Sequence, residues 1–230
     1  MPIYKLNESL WFPPSTEFEA DQDIIAIGGD VSFERLLEAY QNGIFPWYNA
    51  GDPITWFSPR MRMVLHPSEI KVSKSARNLR NRKQFEIKAD TCFEAVIDQC
   101  QTVKRAGQEG TWLNNTLKQN ILELHYLGYA HSIEAFENDK LVGGLYGLSV
   151  GKFFCGDSMF SLVSNASKLA FIELCKVLEQ QQFELIDCQV YNTHLASLGA
   201  YEVTREVFLR QVEINHSKTT SKGSWTSWFE

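Results

Sequence analysis

A carboxylate and a carboxamide two residues apart, Asp187 and Gln189, interrupt an otherwise apolar run at residues 185–192, LIDCQVYN. The run reads as a short buried strand whose alternate side chains face opposite ways. Asp187 and Gln189 then share one face, and Ile186, Cys188 and Val190 the other. Polar groups in such a place are costly unless partnered. They are either a satisfied pair tying neighbouring loops together or groups that handle a proton and an amine, and these eight residues leave both readings open. Cys155 and Cys188 lie nearby, so a thiol nucleophile also has to be weighed. Alternation turns Cys188 away from Asp187, which favours a packed thiol.

The elements that must position these groups precede them. From His131 the pattern has period two: residues 131–137, a turn at Asn138 and Asp139, then 140–151 and 152–160 form an antiparallel series. Gly143, Gly144 and Gly147 interrupt the middle strand, as a bulge or a close backbone approach requires. A helix over about 165–181 has Ala166, Leu169, Ile172 and Leu174 as core candidates and leads directly into the LIDCQVYN strand. Three strands, a helix and a strand give an α+β class with a mixed sheet flanked by helices. Upstream, residues 85–88 predict a short strand, and 92–103 and 114–126 predict amphipathic helices. Downstream come a helix at 193–198, a turn at Gly199, a helix opening near Thr204 and a polar tail with Trp225 and Trp228. Neither a repeat nor a low-complexity stretch is present.

Residues 1–60 contain six of the seven prolines and read as loop-rich. Within them Ser32 caps a helix marked by Leu36, Leu37 and Tyr40, ended by Asn42, Gly43 and Pro46. The Gly28–Gly29 pair lacks the following G-K-[ST] of a phosphate loop, which argues against a nucleoside-triphosphate site. Trp47, Tyr48, Trp56 and Phe57 form either a small satellite core or a stacking platform for a base. Residues 71–83, KVSKSARNLRNRK, carry six cations and no acid, with Lys74, Arg77 and Arg80 stepping by three along one helix side. That is a local positive field suited to phosphates, or a solvated helix face.

With 230 residues, 44% hydrophobic and 22% charged, the chain has the composition of an ordinary soluble globule. Its net charge of −6 argues against a general nucleic-acid binder while allowing one basic patch. Five scattered cysteines without a C-x-x-C pair fit a reducing cytoplasm. The five histidines are too dispersed for a metal motif. The start of the chain has no signal-peptide pattern, and no run approaches the ~18 apolar residues of a membrane span.

Segments GGDVSFERLLEAYQNGIFPWY, WFSPRMRMVL, EGTW, AHSIEAFENDKLVGGLYG, FFCGDSMF, NASK and LIDCQVYNTHLASLGA together resemble the bacterial leucyl/phenylalanyl-tRNA–protein transferases. Single pieces are weak; the ordered series is specific. The resemblance implies a small N-terminal domain, residues 1–60, and a larger GNAT-like acyltransferase domain, residues 61–230. It implies transfer of Leu, Phe or Met from aminoacyl-tRNA to proteins beginning with Arg or Lys, which marks them for N-degron proteolysis. It further implies a cytoplasmic enzyme with no cofactor or metal and no membrane partner; a monomer is expected.

An aminoacyl ester is already activated, so the reaction needs a neutral amine, a held carbonyl and a stabilised oxyanion. Asp187 is expected to accept the amine's hydrogen bond and help remove its proton, with Gln189 positioning the amine or the carbonyl. A negative site also suits acceptors with a cationic first side chain. By resemblance, Asp157 contacts the acceptor or orients Gln189. The family pattern has Glu there; Asp is one methylene shorter, which could open a ~3 Å contact by about 1.5 Å. Leu145, where the family often has Met, joins Phe154, Met159 and Ile186 as the expected apolar donor pocket. By resemblance, Trp47 and Trp112 flank the terminal adenosine. Lys71, Lys74, Arg77, Arg80 and Lys83 are expected to hold tRNA phosphates.

Two alternatives belong to other classes. An acyl-CoA N-acyltransferase of the GNAT type needs a glycine-rich turn for pyrophosphate, and SMFSLVSNASK before the 165–181 helix has no glycine. A non-catalytic RNA-binding module would explain the basic helix and the tryptophans, but not paired carboxylates in a glycine-lined sheet.

Overall fold

The computed structural model describes residues 3–102 and 113–230. Its first part is a four-stranded sheet, although the proline-rich start read as loops. The strands are β1 (Tyr4–Leu6), β2 (Ile24–Gly28), β3 (Phe45–Pro46) and β4 (Thr55–Phe57), in the order β1-β2-β4-β3. Only β1 and β2 run parallel. Strands of two to five residues between prolines are too short to display a period of two, which is why the sequence hid them. Helix α1 (Phe33–Gln41) lies between β2 and β3, and the Ser32 side chain accepts from Arg35 N–H at its start as expected.

A second, seven-stranded sheet begins at β5 (Met61–Leu65). It continues through helix α2 (Lys74–Asn81), β6 (Glu86–Ala89), helices α3 (Phe93–Thr102) and α4 (Asn115–Tyr126), then β7 (Ala130–Glu137), β8 (Lys140–Val150) and β9 (Phe153–Ser161). Helix α5 (Ala166–Gln180), β10 (Leu185–Gln189), α6 (Thr193–Ser197), β11 (Tyr201–Thr204) and α7 (Arg205–Asn215) complete it. The order is β11-β5-β10-β9-β8-β7-β6, antiparallel throughout except for the parallel pair β9 and β10. The mixed α+β class read from the sequence is therefore what the chain forms.

Helix α5 packs Leu169, Ile172, Leu174 and Leu178 on one face of this sheet, with Leu145, Phe154 and Ile186 beneath. On the other side, α1, α3 and α4 share a single apolar cluster with Ala26, Phe45 and Trp56 of the first sheet and Leu148 and Cys155 of the second. The two sheets thus bury a common core. Trp56 of the aromatic group is wholly inside it, donating Nε1–H to the Gly28 carbonyl at 3.0 Å, whereas Trp47 is 41% exposed.

The C-terminal tail, polar in sequence, returns to the edge of the second sheet. Trp225 is fully buried, stacked 3.7 Å from His131 and donating its backbone N–H to Asp90 Oδ2 at 2.8 Å. The passing backbones touch: a Cβ on Gly128 would lie 2.3 Å from the Gly223 nitrogen, so this crossing requires glycine.

Candidate functional site

Strands β9 and β10 pair only from Leu185↔Phe153 to Asp187↔Cys155. Beyond that point β9 runs on to Ser161 while β10 ends at Gln189, so the two strands part. Two irregularities produce this. Gly147 of β8 sits at a register shift opposite Gly156, where a Cβ would come 2.2 Å from the Cys155 carbonyl and 2.7 Å from the Phe154 ring. On β10, Asp187 faces Val64 but Gln189 faces Met63, leaving Cys188 as the extra residue of a bulge. Gln189 has φ of +63°, left-handed backbone that a long side chain adopts only under constraint. Asp187 and Gln189 therefore converge through a bulge rather than by regular alternation, while Cys188 is buried in the apolar core.

At the parting, the three polar side chains singled out from the sequence meet. Gln189 Nε2 donates to Asp157 Oδ1 at 2.8 Å, and the Gln189 N–H donates to Asp187 Oδ1 at 2.9 Å. The shorter Asp at 157 thus still reaches its partner. Two further residues, which the sequence reading left out of the site, complete the arrangement. Tyr40 of α1 donates its hydroxyl to Asp157 Oδ1 at 2.7 Å. Arg62 of β5 grips Asp187 with both prongs, Nε–Oδ1 at 2.7 Å and Nη2–Oδ2 at 2.6 Å, and each side chain is 1% exposed. Tyr40 had read as a core position of its helix. For Arg62 there was a signal: one cation between Met61 and the apolar Met63-Val64-Leu65 of a buried strand calls for an acidic partner.

The two carboxylates stand in different environments. Arg62 and the Gln189 N–H occupy Asp187. Asp157 Oδ2, by contrast, is shielded from solvent and has no hydrogen-bond partner among the described residues. Burial pushes the Asp157 carboxyl up, and the Asp187 charge adds to this. The hydrogen bonds from Tyr40 and Gln189 and the Arg62 charge pull the other way, and the balance lies at about 7. Burial, with the Asp157 charge beside it, raises the Tyr40 hydroxyl well above its ordinary value, so it stays a donor. The thiol of Cys155 is likewise pushed far up by burial and is no nucleophile near neutral pH.

Leu145, Phe154 and Ile186 are closed to solvent, at 2% exposure or less, and Met159 is partly open beside them. Leu145 and Met159 are cross-strand partners, as are Phe154 and Ile186. Trp47 presents its ring at the surface, 5.5 Å from Phe57. Trp112 lies outside the described residues, as does the EGTW segment. Lys71, Lys74, Arg77, Arg80 and Lys83 lie on and around α2, open to solvent to differing degrees, and the helix carries no acid in its first turn. Arg80 is ion-paired to Glu173 of α5 at 3.0 Å. A cavity of about 810 Å³ lies between residues 13–20 and α7 and is lined by none of the three converging polar residues. Among the described residues no helix is long and apolar enough to cross a membrane.

Comparison with known proteins adds an independent observation. The family model described as leucyl/phenylalanyl-tRNA protein transferase matches residues 64–213, and the one for that family's N-terminal domain matches residues 29–60. A protein of Flavobacterium johnsoniae named leucyl/phenylalanyl-tRNA–protein transferase is 49% identical over 207 residues, 90% of this chain and 97% of the relative. One of Syntrophus aciditrophicus with the same name is 46% identical over 227 residues, 99% of this chain and 95% of the relative. Among solved structures, a conserved protein of unknown function from Staphylococcus epidermidis is similar with a TM-score of 0.42 at 13% identity, covering 79% of this chain and 68% of its own.

Proposed function

The chain belongs to the leucyl/phenylalanyl-tRNA–protein transferase family, and from that premise we propose how its own residues carry out the transfer. The enzyme moves Leu or Phe from aminoacyl-tRNA onto protein N-termini. In our reading Met is a further donor, the acceptors begin with Arg or Lys, and the products enter N-degron proteolysis. The protein works as a cytoplasmic monomer.

The observation that carries the site reading is the Asp157–Gln189–Asp187 constellation where β9 and β10 part. Its division of labour differs from the one read in the sequence. Asp187, gripped by Arg62, anchors Gln189, and Asp157 with its unpartnered Oδ2 and a pKa of about 7 takes the proton. Because Gln189 Nε2 donates to Asp157, its Oε1 is the atom left to accept from the acceptor's amine. The amine nitrogen attacks the ester carbonyl and forms the N–C bond. The proton it sheds passes through Asp157 to the tRNA ribose oxygen as the C–O bond breaks. An Asp187 neutralised by Arg62 contributes little to recognising a cationic acceptor, which leaves Asp157 as the nearby negative group for that purpose.

The donor side chain is assigned to the pocket of Leu145, Phe154, Met159 and Ile186, entered past Met159, and the terminal adenosine to Trp47 and Trp112. The cations Lys71, Lys74, Arg77, Arg80 and Lys83 receive acceptor-stem phosphates. A GNAT-like arrangement of residues 61–230, behind a smaller unit of residues 1–60, is supported by the parallel pair of β9 and β10, which parts after Asp187 and packs Phe154 and Ile186 against α5. The test is transfer of labelled Phe from Phe-tRNA to peptides beginning with Arg or Ser. Transfer to the Arg peptide that disappears in Asp157→Asn and Gln189→Ala supports the assignment; undiminished transfer by both variants rejects it.

A further inference from the structure

The Arg62 side chain is 1% exposed, closed off from solvent beside Asp187. Its guanidinium is held between two rings from distant parts of the chain, Phe45 of β3 at 4.7 Å and Phe208 of α7 at 4.5 Å. Buried and planar, it turns its Nε and Nη2 edge to Asp187, while Nη1 has no hydrogen-bond partner among the described residues. Asp187 in turn accepts the backbone N–H of Gln189, the residue whose left-handed backbone sets the aim of the carboxamide.

We propose that Arg62 is a positioning residue for the transfer: through Asp187 it holds the Gln189 backbone in its left-handed conformation and so aims the Gln189 carboxamide at Asp157. The proposal rests on the reading of Gln189 and Asp157 as the amine-handling pair. It gives physical work to the Phe45 and Phe208 rings. Phe45 belongs to the first sheet and Phe208 to the last helix, so both ends of the chain bear on the geometry of one glutamine. Regular strand backbone at 189 would follow the ordinary alternation of β10, without the bulge that brings this carboxamide to Asp157.

Substitution of Arg62 by Lys keeps the charge and removes the two-pronged fork. For Arg62→Lys, kcat for transfer to an Arg-beginning peptide is expected to fall at least about tenfold. KM for Phe-tRNA should stay within about twofold of wild type, with the thermal midpoint above the assay temperature. Titration of Asp157, followed by carboxyl-carbon NMR, supplies a reading that a packing role would not move. Asp157 is faced by Tyr40 from α1, Gln189 and Asp187 from β10, Arg62 from β5 and Cys155 on its own strand. Asp187→Asn removes a negative neighbour and should lower the Asp157 midpoint. The charge-balanced double variant Arg62→Met with Asp187→Asn leaves no unpaired buried charge and should bring the midpoint back towards wild type. Because Arg62 acts through Asp187, that double variant should transfer no more slowly than Asp187→Asn alone.

A folded Arg62→Lys enzyme with wild-type kcat overturns the proposal, as does an additive loss in the double variant. If Gln189→Ala and Asp157→Asn lose transfer while Arg62→Lys does not, the role of Arg62 alone falls. If those two variants transfer normally, the site reading and this proposal fall together.

Discussion

The Gln189 carboxamide reaches across the parting of β9 and β10 to donate to Asp157 Oδ1 at 2.8 Å, joining two strands that no longer share backbone hydrogen bonds there. One oxygen of Asp157 thereby takes two donors, Gln189 and Tyr40, and the other takes none among the described residues. This asymmetry leaves a carboxylate both held in place and free to accept a proton.

The pH dependence of transfer should follow Asp157. Its pKa of about 7 predicts a rate that falls as pH drops below that value, because the protonated acid cannot accept the amine's proton. Measured kcat against pH should lose this limb in Asp157→Asn, together with most of the activity.

The same group should make the folded protein less stable as pH rises. Its folded pKa lies above the ordinary 3.8, so between those values the folded state binds more protons than the unfolded one. Stability is then fully favoured below 3.8 and declines as pH climbs towards 7. Asp157→Asn removes that penalty and should stabilise the protein at pH 8 by on the order of 2 kcal/mol, allowing for partial solvent access. Denaturant unfolding of the two proteins at pH 8 checks it; an unchanged or lower stability of the variant counts against the buried carboxylate.

The C-terminal tail should come loose in acid. Burial holds the His131 imidazole below its ordinary 6.5, despite the hydrogen bond and charge of Asp90. For Asp90, burial acts upward but is outweighed by its hydrogen bonds from His131, Trp225 and Ser132, which hold the carboxyl below 3.8. The unfolded chain binds the extra proton in both cases. Stability is therefore lost first as pH falls below about 6.5 through His131, then below about 3.8 through Asp90. Between pH 8 and 5 the wild-type thermal midpoint should fall relative to that of His131→Gln, a comparison in which the opposite contribution of Asp157 cancels. Trp225→Ala, which empties the stack, should cost about 3–5 kcal/mol at pH 8.

Transfer-RNA binding through α2 should be salt-dependent. Replacing Lys74 and Arg77 by Ala should reduce the slope of log affinity against log salt by about one for each phosphate that is no longer neutralised. Glu173→Gln, which frees Arg80 from its ion pair, should tighten binding. Equal slopes for wild type and the double alanine variant would move the phosphate-binding surface elsewhere.

The donor pocket proposed at Leu145, Phe154, Met159 and Ile186 should widen at Met159, the one of the four partly open to solvent. Met159→Ala is expected to favour Phe over Leu by roughly tenfold in kcat/KM, the scale set by a few methylene groups. Competition between Leu-tRNA and Phe-tRNA reads this directly, and an unchanged ratio removes Met159 from the pocket wall.

Much of this was legible in the chain before folding. The helices at 33–41, 115–126 and 166–180 follow their apolar spacing and that at 74–81 its cations stepping by three, and Ser32, Ser73 and Asn114 cap three of the four as their side-chain oxygens dictate. The long strands β7, β8 and β9 show the period of two, and the family motifs lie in order along them. The short strands of residues 4–65 did not, because two to five residues between prolines carry no readable period. Nor did a tail rich in Ser, Thr and Lys reveal that Trp225 would be fully buried.

By itself, then, the sequence determined that a carboxylate and a carboxamide would sit on one strand beside a second carboxylate, with a basic helix elsewhere. Side-chain chemistry and spacing within an element are local properties. Only the tertiary structure decided which of the two acids is gripped and which is free. Arg62 meets Asp187 across 125 positions, and Tyr40 meets Asp157 across 117. No local pattern encodes such meetings: they arise when sheet order puts β5 beside β10 and core packing lays α1 against β9.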